Sequence, residues 1–526
     1  MTSTFINRLG NWNPQLLREC RGRLKPRSIT AAVVLSVIGQ ALLGLWFSQQ
    51  DFEPVLKRWA NLAETITWIL PYVLLTAGSY YLVSDLNQEE KRGTLNFIRL
   101  SPRPSRQILL GKMLGVPLLP YLAIGLAIPL HVLAGLKAGM PLFFLLSYYL
   151  LLMAGGFFWF SFAILYGLLS STRAIVVGQQ SVAAVAFAGL TLFVLSPLYF
   201  AWNLLVTWAP LGFNAWSAKW HPYSYGSNSD TTPVQWFGQI INESAWLSHG
   251  FTLVVLAIAT ALIWLMLVRL FRNPGTTVMS KWQSYAIVAF LEALVVGFLV
   301  INPKVNPLEL EGSRWEDFLP ETGTWLLYVF NFGLIVVLML ALCPQRSSLL
   351  DWLRYRQEFR GSLRDLVWAD KSPAVVAIAI NLLIIHALYI PWLFLIGIGK
   401  EKPMVAAIVV LSMSAILLIY TTVVQQIFAL KIRNPYIWAM GGLALWMIVP
   451  AIMLGILGIT PDQMPASMMI WTFLGYPFGD LTQPMLMNSA LVGVVAQLCV
   501  LVLLVWQFQN HLYRLAQSQP IPVSGD

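Results

Sequence analysis

The feature that most constrains this chain is a succession of about twelve apolar blocks, each twenty or more residues long, separated by short polar segments. A run of that length spans a hydrocarbon layer of about 30 Å as a helix, whereas a membrane barrel would show alternating segments of about ten residues. Composition points the same way: hydrophobic residues make up 58% of the 526 positions and charged residues only 11%, against about a quarter charged in soluble domains. The expected fold class is therefore all-α, a polytopic helical membrane protein with about 12 transmembrane helices. The spans are expected near 28–48, 62–85, 108–136, 141–169, 175–200, 246–269, 283–302, 323–344, 373–399, 403–430, 435–458 and 486–510.

Basic residues collect in cytoplasmic loops. With the N-terminus inside, the outer segments hold only Lys57, Arg58, Lys137, Lys219, Lys304, Arg314, Lys400 and Lys402 of the 33 lysines and arginines. The net charge of +10 is then explained by topology rather than by a nucleic-acid surface, and both termini are expected in the cytoplasm. The basic stretch before the first block lacks a short apolar core with a cleavage site, so the first span is expected to be retained. Cys20, Cys343 and Cys499 are far apart, and the five histidines form no His-Glu-x-x-His arrangement. Neither a disulfide framework nor a zinc site is expected, and no cofactor is assigned to the chain itself.

The loop after the second span reads Gln88-Glu89-Glu90-Lys91-Arg92-Gly93-Thr94-Leu95 and leads to Ser101-Pro102. The loop after the eighth reads Arg356-Gln357-Glu358-Phe359-Arg360-Gly361-Ser362-Leu363 and leads to Ser372-Pro373. Each copy of Glu-x-Arg-Gly-(Thr/Ser)-Leu follows the second helix of a six-helix half, which marks a duplication. Three parts are expected: an amphipathic elbow helix over 1–27, a six-span domain over 28–275 and a second over 276–526. In the first copy Gly93 allows a turn and Thr94 can cap a short helix, with Ser362 its counterpart in the second. Leu95, Phe97, Ile98 and Leu100 alternate there with Arg99, giving an apolar and a basic side. Such a helix suits either a soluble partner or anionic headgroups. Ahead of the first span, Asn13-Pro14 can start a helix on which Leu16, Leu17, Cys20 and Leu24 share a face opposite Arg18 and Arg21.

Several isolated residues bear on function. Glu64 and Glu292 lie within apolar spans, where a carboxylate is costly and marks a possible translocation path. His131 and His386 are expected to be hydrogen-bonded packing residues. Asp85 and Glu89 are expected to be solvated at the inner edge. The outer segments 201–245 and 459–485, rich in Trp, Phe, Tyr, Pro and Gly, suit the headgroup layer, short re-entrant helices or ordinary folded loops.

Asn13-Pro14-Gln15-Leu16-Leu17-Arg18-Glu19, followed by Glu90-Lys91-Arg92-Gly93-Thr94-Leu95, Leu100-Ser101-Pro102 and Ile108-Leu109-Leu110-Gly111-Lys112, resembles a permease of the ABC-2 type of ABC transporter. The resemblance covers residues 1 to 275, and beyond them only the second loop copy and the span count carry it. It implies export across the inner (plasma) membrane, an elbow helix, and cytoplasmic coupling loops at 86–107 and 345–372 that seat in separate ATPase subunits. The docking residues it implies are Glu90, Arg92, Gly93, Thr94, Leu95, Phe97 and Arg99, with Glu358, Arg360, Gly361, Ser362 and Leu363 in the second copy. The second half departs from the pattern in having only Val278 to Tyr285 where an elbow would stand. The chain has no Gly-x-x-x-x-Gly-Lys-(Ser/Thr) segment, so ATP and Mg are expected on the partner and no enzymatic activity on this chain. A twelve-span secondary transporter, a lipid-linked glycosyltransferase and a membrane anchor that recruits an ATPase are the competing classes. A secondary transporter of the major facilitator kind would place its long inner loop between the sixth and seventh spans, where this chain is short.

Overall fold

The computed structural model describes residues 10–49, 53–172, 180–195, 234–241, 245–300, 323–359, 363–395, 403–432, 434–457, 471 and 484–517. They form an all-α polytopic membrane protein. Contacts divide the chain into two compact units, Met1–Val234 with Ile240–Pro274, and Gln235–Gln239 with Gly275–Asp526.

The first unit comprises α1 (Pro14–Arg23), α2 (Pro26–Ser48), α3 (Val55–Lys91), α4 (Thr94–Arg99), α5 (Ser105–Gly115), α6 (Leu118–Lys137), α7 (Leu142–Thr172), α8 (Gln180–Leu195) and α9 (Ala245–Arg272). At its centre α3 packs against α6, α7 and α8 and buries Ala60, Ala63, Ile66, Leu70, Leu74, Gly78 and Leu82 at helical spacing. The ring of Phe160 occupies the space where Gly78 would carry a Cβ. Its 37 residues reach about 55 Å at 1.5 Å per residue, well beyond a hydrocarbon layer of about 30 Å. The helix therefore runs past the expected end at 85 and carries Glu89 and Glu90 out on a rigid rod.

The expected third span, 108–136, is two helices. Proline has no N–H to continue the ladder, and at Pro117 the chain stops α5 and begins α6. The first of these pieces packs against α1.

The second unit comprises α10 (Lys281–Leu299), α11 (Thr324–Leu342), α12 (Arg346–Phe359), α13 (Leu363–Trp368), α14 (Val375–Leu395), α15 (Pro403–Ala429), α16 (Pro435–Leu457) and α17 (Pro484–Gln517). Here α15 is central, packing on α11, α14, α16 and α17. Much of the expected loop 345–372 is helix: α12 lies against α15 and α17 and buries Leu349 and Trp352 among Ala429, Phe508 and Leu512.

A two-stranded hairpin, β1 (Gln235–Trp236) and β2 (Gln239–Ile240), turns through Phe237 and Gly238, both at positive φ, the requirement of a type I′ turn. Its tip is held on the end of α10 by Phe237 N–H to the Gly297 carbonyl at 2.7 Å and Gly238 N–H to the Val300 carbonyl at 2.9 Å. Most of the aromatic segments 201–245 and 459–485 lies outside the described residues.

Among the described residues, ten helices are long and apolar enough to span a membrane: α2, α3, α6, α7, α9, α10, α11, α14, α15 and α17. The other two expected spans fall on α8 (Gln180–Leu195) and α16 (Pro435–Leu457), within which the described apolar stretches are Val182–Val194 and Pro435–Val449.

Candidate functional site: the elbow and the first loop

The elbow helix α1 starts where Asn13 leaves helical geometry. Its Oδ1 accepts from the Leu16 N–H at 3.1 Å, and Pro14 takes the first helical position, where a missing N–H costs nothing. The same Asn13 side chain donates through Nδ2 to the Gln107 carbonyl at 2.7 Å, and Gln107 Nε2 donates back to the Trp12 carbonyl. One cap residue thus starts the elbow and ties it to α5. Gly111 and Gly115 on α5 leave room for Asn13 and Glu19 to approach.

The face that α1 turns to the protein is not its apolar one. Asn13, Leu16 and Glu19 are buried, while Leu24 is exposed. Glu19 meets Asp85 and Glu89, one turn apart on α3, and the ammonium of Lys112 from α5 enters among the three. Lys112 Nζ lies 2.6 Å from Glu89, 2.7 Å from Asp85 and 3.7 Å from Glu19, with the side chain 1% exposed. Arg23 Nη2 pairs with Asp85 at 2.6 Å and Arg18 pairs with Glu89. Asp85 and Glu89 are therefore paired structural charges, not solvated ones. Burial pulls the Lys112 ammonium down, but Asp85, Glu89 and Glu19 outweigh it and hold it above its ordinary value. One oxygen from each of the three carboxylates lies within 4.8 Å of the others, the spacing of a cation site, and Lys112 supplies the cation.

This braced corner positions the loop. Gly93 adopts φ +71° at the end of α3, a left-handed turn that favours glycine, and α4 begins at once. Thr94 does not cap α4: its hydroxyl donates back to the Glu89 carbonyl at 3.2 Å. Leu95 (0% exposed) and Ile98 (6%) seat the helix, leaving Phe97 (79%) and Leu100 (85%) pointing out. Arg99, expected on the outer basic side, is turned in. It pairs with Glu90 at 3.5 Å, donates to Asn96 Oδ1 at 2.8 Å and lies over the Phe271 ring of α9. Burial lowers its pKa, against the opposing pull of Glu90. Lys91, Arg92, Arg103 and Arg106 are exposed. The loop thus exposes two large apolar side chains, Phe97 and Leu100, and four cations.

The second loop is built differently. Glu358 lies in the last turn of α12 and Leu363 opens α13, while Arg360, Gly361 and Ser362 lie outside the described residues. The residue that holds α13 is Lys281, which sequence reasoning did not single out. Its Nζ donates to the Leu366 carbonyl at 2.6 Å, to Ser372 Oγ at 2.5 Å and to the Pro373 carbonyl at 3.1 Å. Tyr285 Oη adds a bond to the Val367 carbonyl at 2.9 Å. The start of α10 therefore anchors its loop, as α1 does the first, through the side chains of Lys281 and Tyr285.

The four remaining residues lie deeper. Glu64 is half-buried on α3 and Glu292 fully buried on α10. His131 bonds Tyr149 Oη at 2.7 Å and Thr67 Oγ1 at 2.9 Å, and His386 bonds Ser414 Oγ at 2.7 Å. Both histidines are hydrogen-bonded packing residues. Comparison with known families, with curated proteins and with solved structures finds no match.

Proposed function

We propose that the chain is the membrane-spanning permease subunit of an ABC-2-type transporter, a twelve-span exporter driven by separate ATPase subunits that bind ATP and Mg. The observation that carries this reading is the presentation of Phe97 on α4 and of Leu100 at its C-cap. A pair of large apolar side chains, exposed on a helix anchored by its neighbours Leu95 and Ile98, is suited to insertion into a partner's groove. The exposed Lys91, Arg92, Arg103 and Arg106 on the same loop favour an acidic surface on that partner.

Force applied to α4 has a stiff route inward. Glu89 and Glu90 belong to α3, the helix around which the first unit packs, and the ion pairs at Lys112 tie α3 to the elbow and α5. In this scheme the loops lie in the cytoplasm with both termini, the membrane is the inner (plasma) membrane, and Glu64 and Glu292 border the cargo path.

The test is purification of the tagged chain from its native membranes, followed by an assay for a co-purifying Mg-ATP hydrolase. Phe97→Asp with Leu100→Asp is expected to release that ATPase without loss of folded protein. Gly93→Pro and Arg92→Glu are expected to uncouple hydrolysis from export while insertion is retained. Retention of the ATPase by the double aspartate variant, or unaltered export in both loop variants, refutes the reading.

A further inference from the structure

The helices α10, α11, α14 and α15 of the second unit carry a single carboxylate, Glu292. Their one lysine is Lys281, at the first residue of α10, and their one histidine is His386. Eleven residues separate Lys281 from Glu292, about 16 Å along the helix, which places the carboxylate near the middle of a hydrocarbon layer. Glu292 is 0% exposed.

Its surroundings are polar but unpaired. Asn331 of α11 lies beside it and Tyr389 of α14 is within electrostatic reach, and Tyr328 in turn neighbours both Tyr389 and Tyr420 of α15. Neither oxygen of Glu292, neither amide atom of Asn331, and neither of the Tyr389 and Tyr420 hydroxyls has a partner in hydrogen-bond geometry. All four residues are buried to within 1%. Buried polar groups are almost always satisfied, so such a cluster in one place marks a site that something else completes.

Charge decides what that is. The titratable groups on the helices packed around Glu292 are Tyr328 on α11, His386 and Tyr389 on α14 and Tyr420 on α15. At the far end of α10, beside Lys281, α13 brings Arg364 and Asp365, and the hairpin residues Gln235–Gln239 contribute none. No cation from these elements pairs with the carboxylate, and His386 bonds Ser414 through Nε2 while its Nδ1 is another buried atom without a partner. A proton removes the charge and also fits the neighbours, since a carboxylic acid can donate to Asn331 Oδ1 while its other oxygen accepts from Asn331 Nδ2.

We infer that Glu292 is a proton-binding site at the centre of the second unit, taking up a proton when enclosed and releasing it to water when the helices part around Tyr389 and Tyr420. On uptake, hydronium gives its proton to the carboxylate, leaving the carboxylic acid and a water. The inference does not depend on the docking of an ATPase, and either reading can fail alone.

Infrared spectra of the full chain in lipid vesicles, compared with those of Glu292→Gln across a pH series, test it. The glutamine keeps the shape and hydrogen-bonding of the acid. The expected result is a protonated-carboxyl C=O band, absent from the variant, that falls about tenfold for each pH unit above its midpoint. A band that does not change with pH would mean a permanently protonated structural group, and no band at any pH a permanently ionised one. Loss of the band on adding sodium at constant pH would make the ligand a metal cation. Any of these three outcomes overturns the proposal.

Discussion

Replacing Lys112 by methionine is the sharpest perturbation available to the elbow. The three carboxylates around its ammonium, Glu19, Asp85 and Glu89, have side chains only 8%, 14% and 8% exposed. In the wild type Lys112, Arg18 and Arg23 balance them. Methionine fills a similar volume but leaves the three carboxylates to share the guanidiniums of Arg18 and Arg23, with one buried negative charge in excess. Removing one member of a buried ion pair costs about 3–5 kcal/mol, far more than the 0–1 kcal/mol of an exposed pair. The upper part of that range is expected, because Lys112 contacts all three acids and both arginines approach from the more exposed side.

Thermal or denaturant unfolding in detergent, read by a label on α1, measures the loss. Lys112→Met with Glu89→Gln should recover much of it, because the pair is deleted together, and the coupling in that double-mutant cycle should exceed 1 kcal/mol. The pH dependence has a defined sign. A lysine held above its ordinary value contributes stability that is complete below pH 10.5, its ordinary value, and is lost as pH rises through the folded value above it. Wild type and Lys112→Met should therefore converge only in strong alkali. A single variant within 1 kcal/mol of wild type, or a double variant no better than the single, would refute the reasoning.

Two further predictions concern the loops. Lys281→Met removes three charge-assisted hydrogen bonds to α13 and the segment after it, each worth about 1.5–3 kcal/mol. Proteolysis within 363–373 should accelerate at least tenfold, while the first loop is cut at its former rate. Gly93→Ala places a Cβ in open space but at φ +71°, so only backbone strain of about 1–2 kcal/mol applies. Unfolding should show a loss of that size, and Asn at the same position a smaller one.

The span pattern was legible because lipid exposure writes itself as uninterrupted apolar length, independent of which helix packs on which. Pro117 shows the limit of that signal. Apolar Ile108, Leu109 and Leu110 continue smoothly into the third block, and hydropathy does not register the break that Pro117 makes between α5 and α6. The loop repeat was legible as Gly93 followed by a short apolar segment. The split of that segment into seated and exposed halves was not, since Leu95, Phe97, Ile98 and Leu100 are chemically alike and only the packing of the folded chain decides which of them is buried. Lys112 and Lys281 were passed over for a related reason: a lysine near the basic end of a span reads as one more topology charge until its partners are known.

Sequence alone thus determined the class of this protein, since 58% hydrophobic composition in long blocks has its free-energy minimum in a bilayer whatever the tertiary arrangement. It also determined where the chain turns at Gly93 and where the elbow starts at Asn13-Pro14, because backbone sterics and capping act within a few residues. Tertiary structure decided which charges are structural and which remain available. Glu19, Asp85, Glu89 and Lys112 are spread over 94 positions, and the two termini of that interval meet only when α1, α3 and α5 fold together. Glu292 was enclosed beside Asn331 by the same folding, and among the described residues no cation of the helices packed on α10 pairs with it.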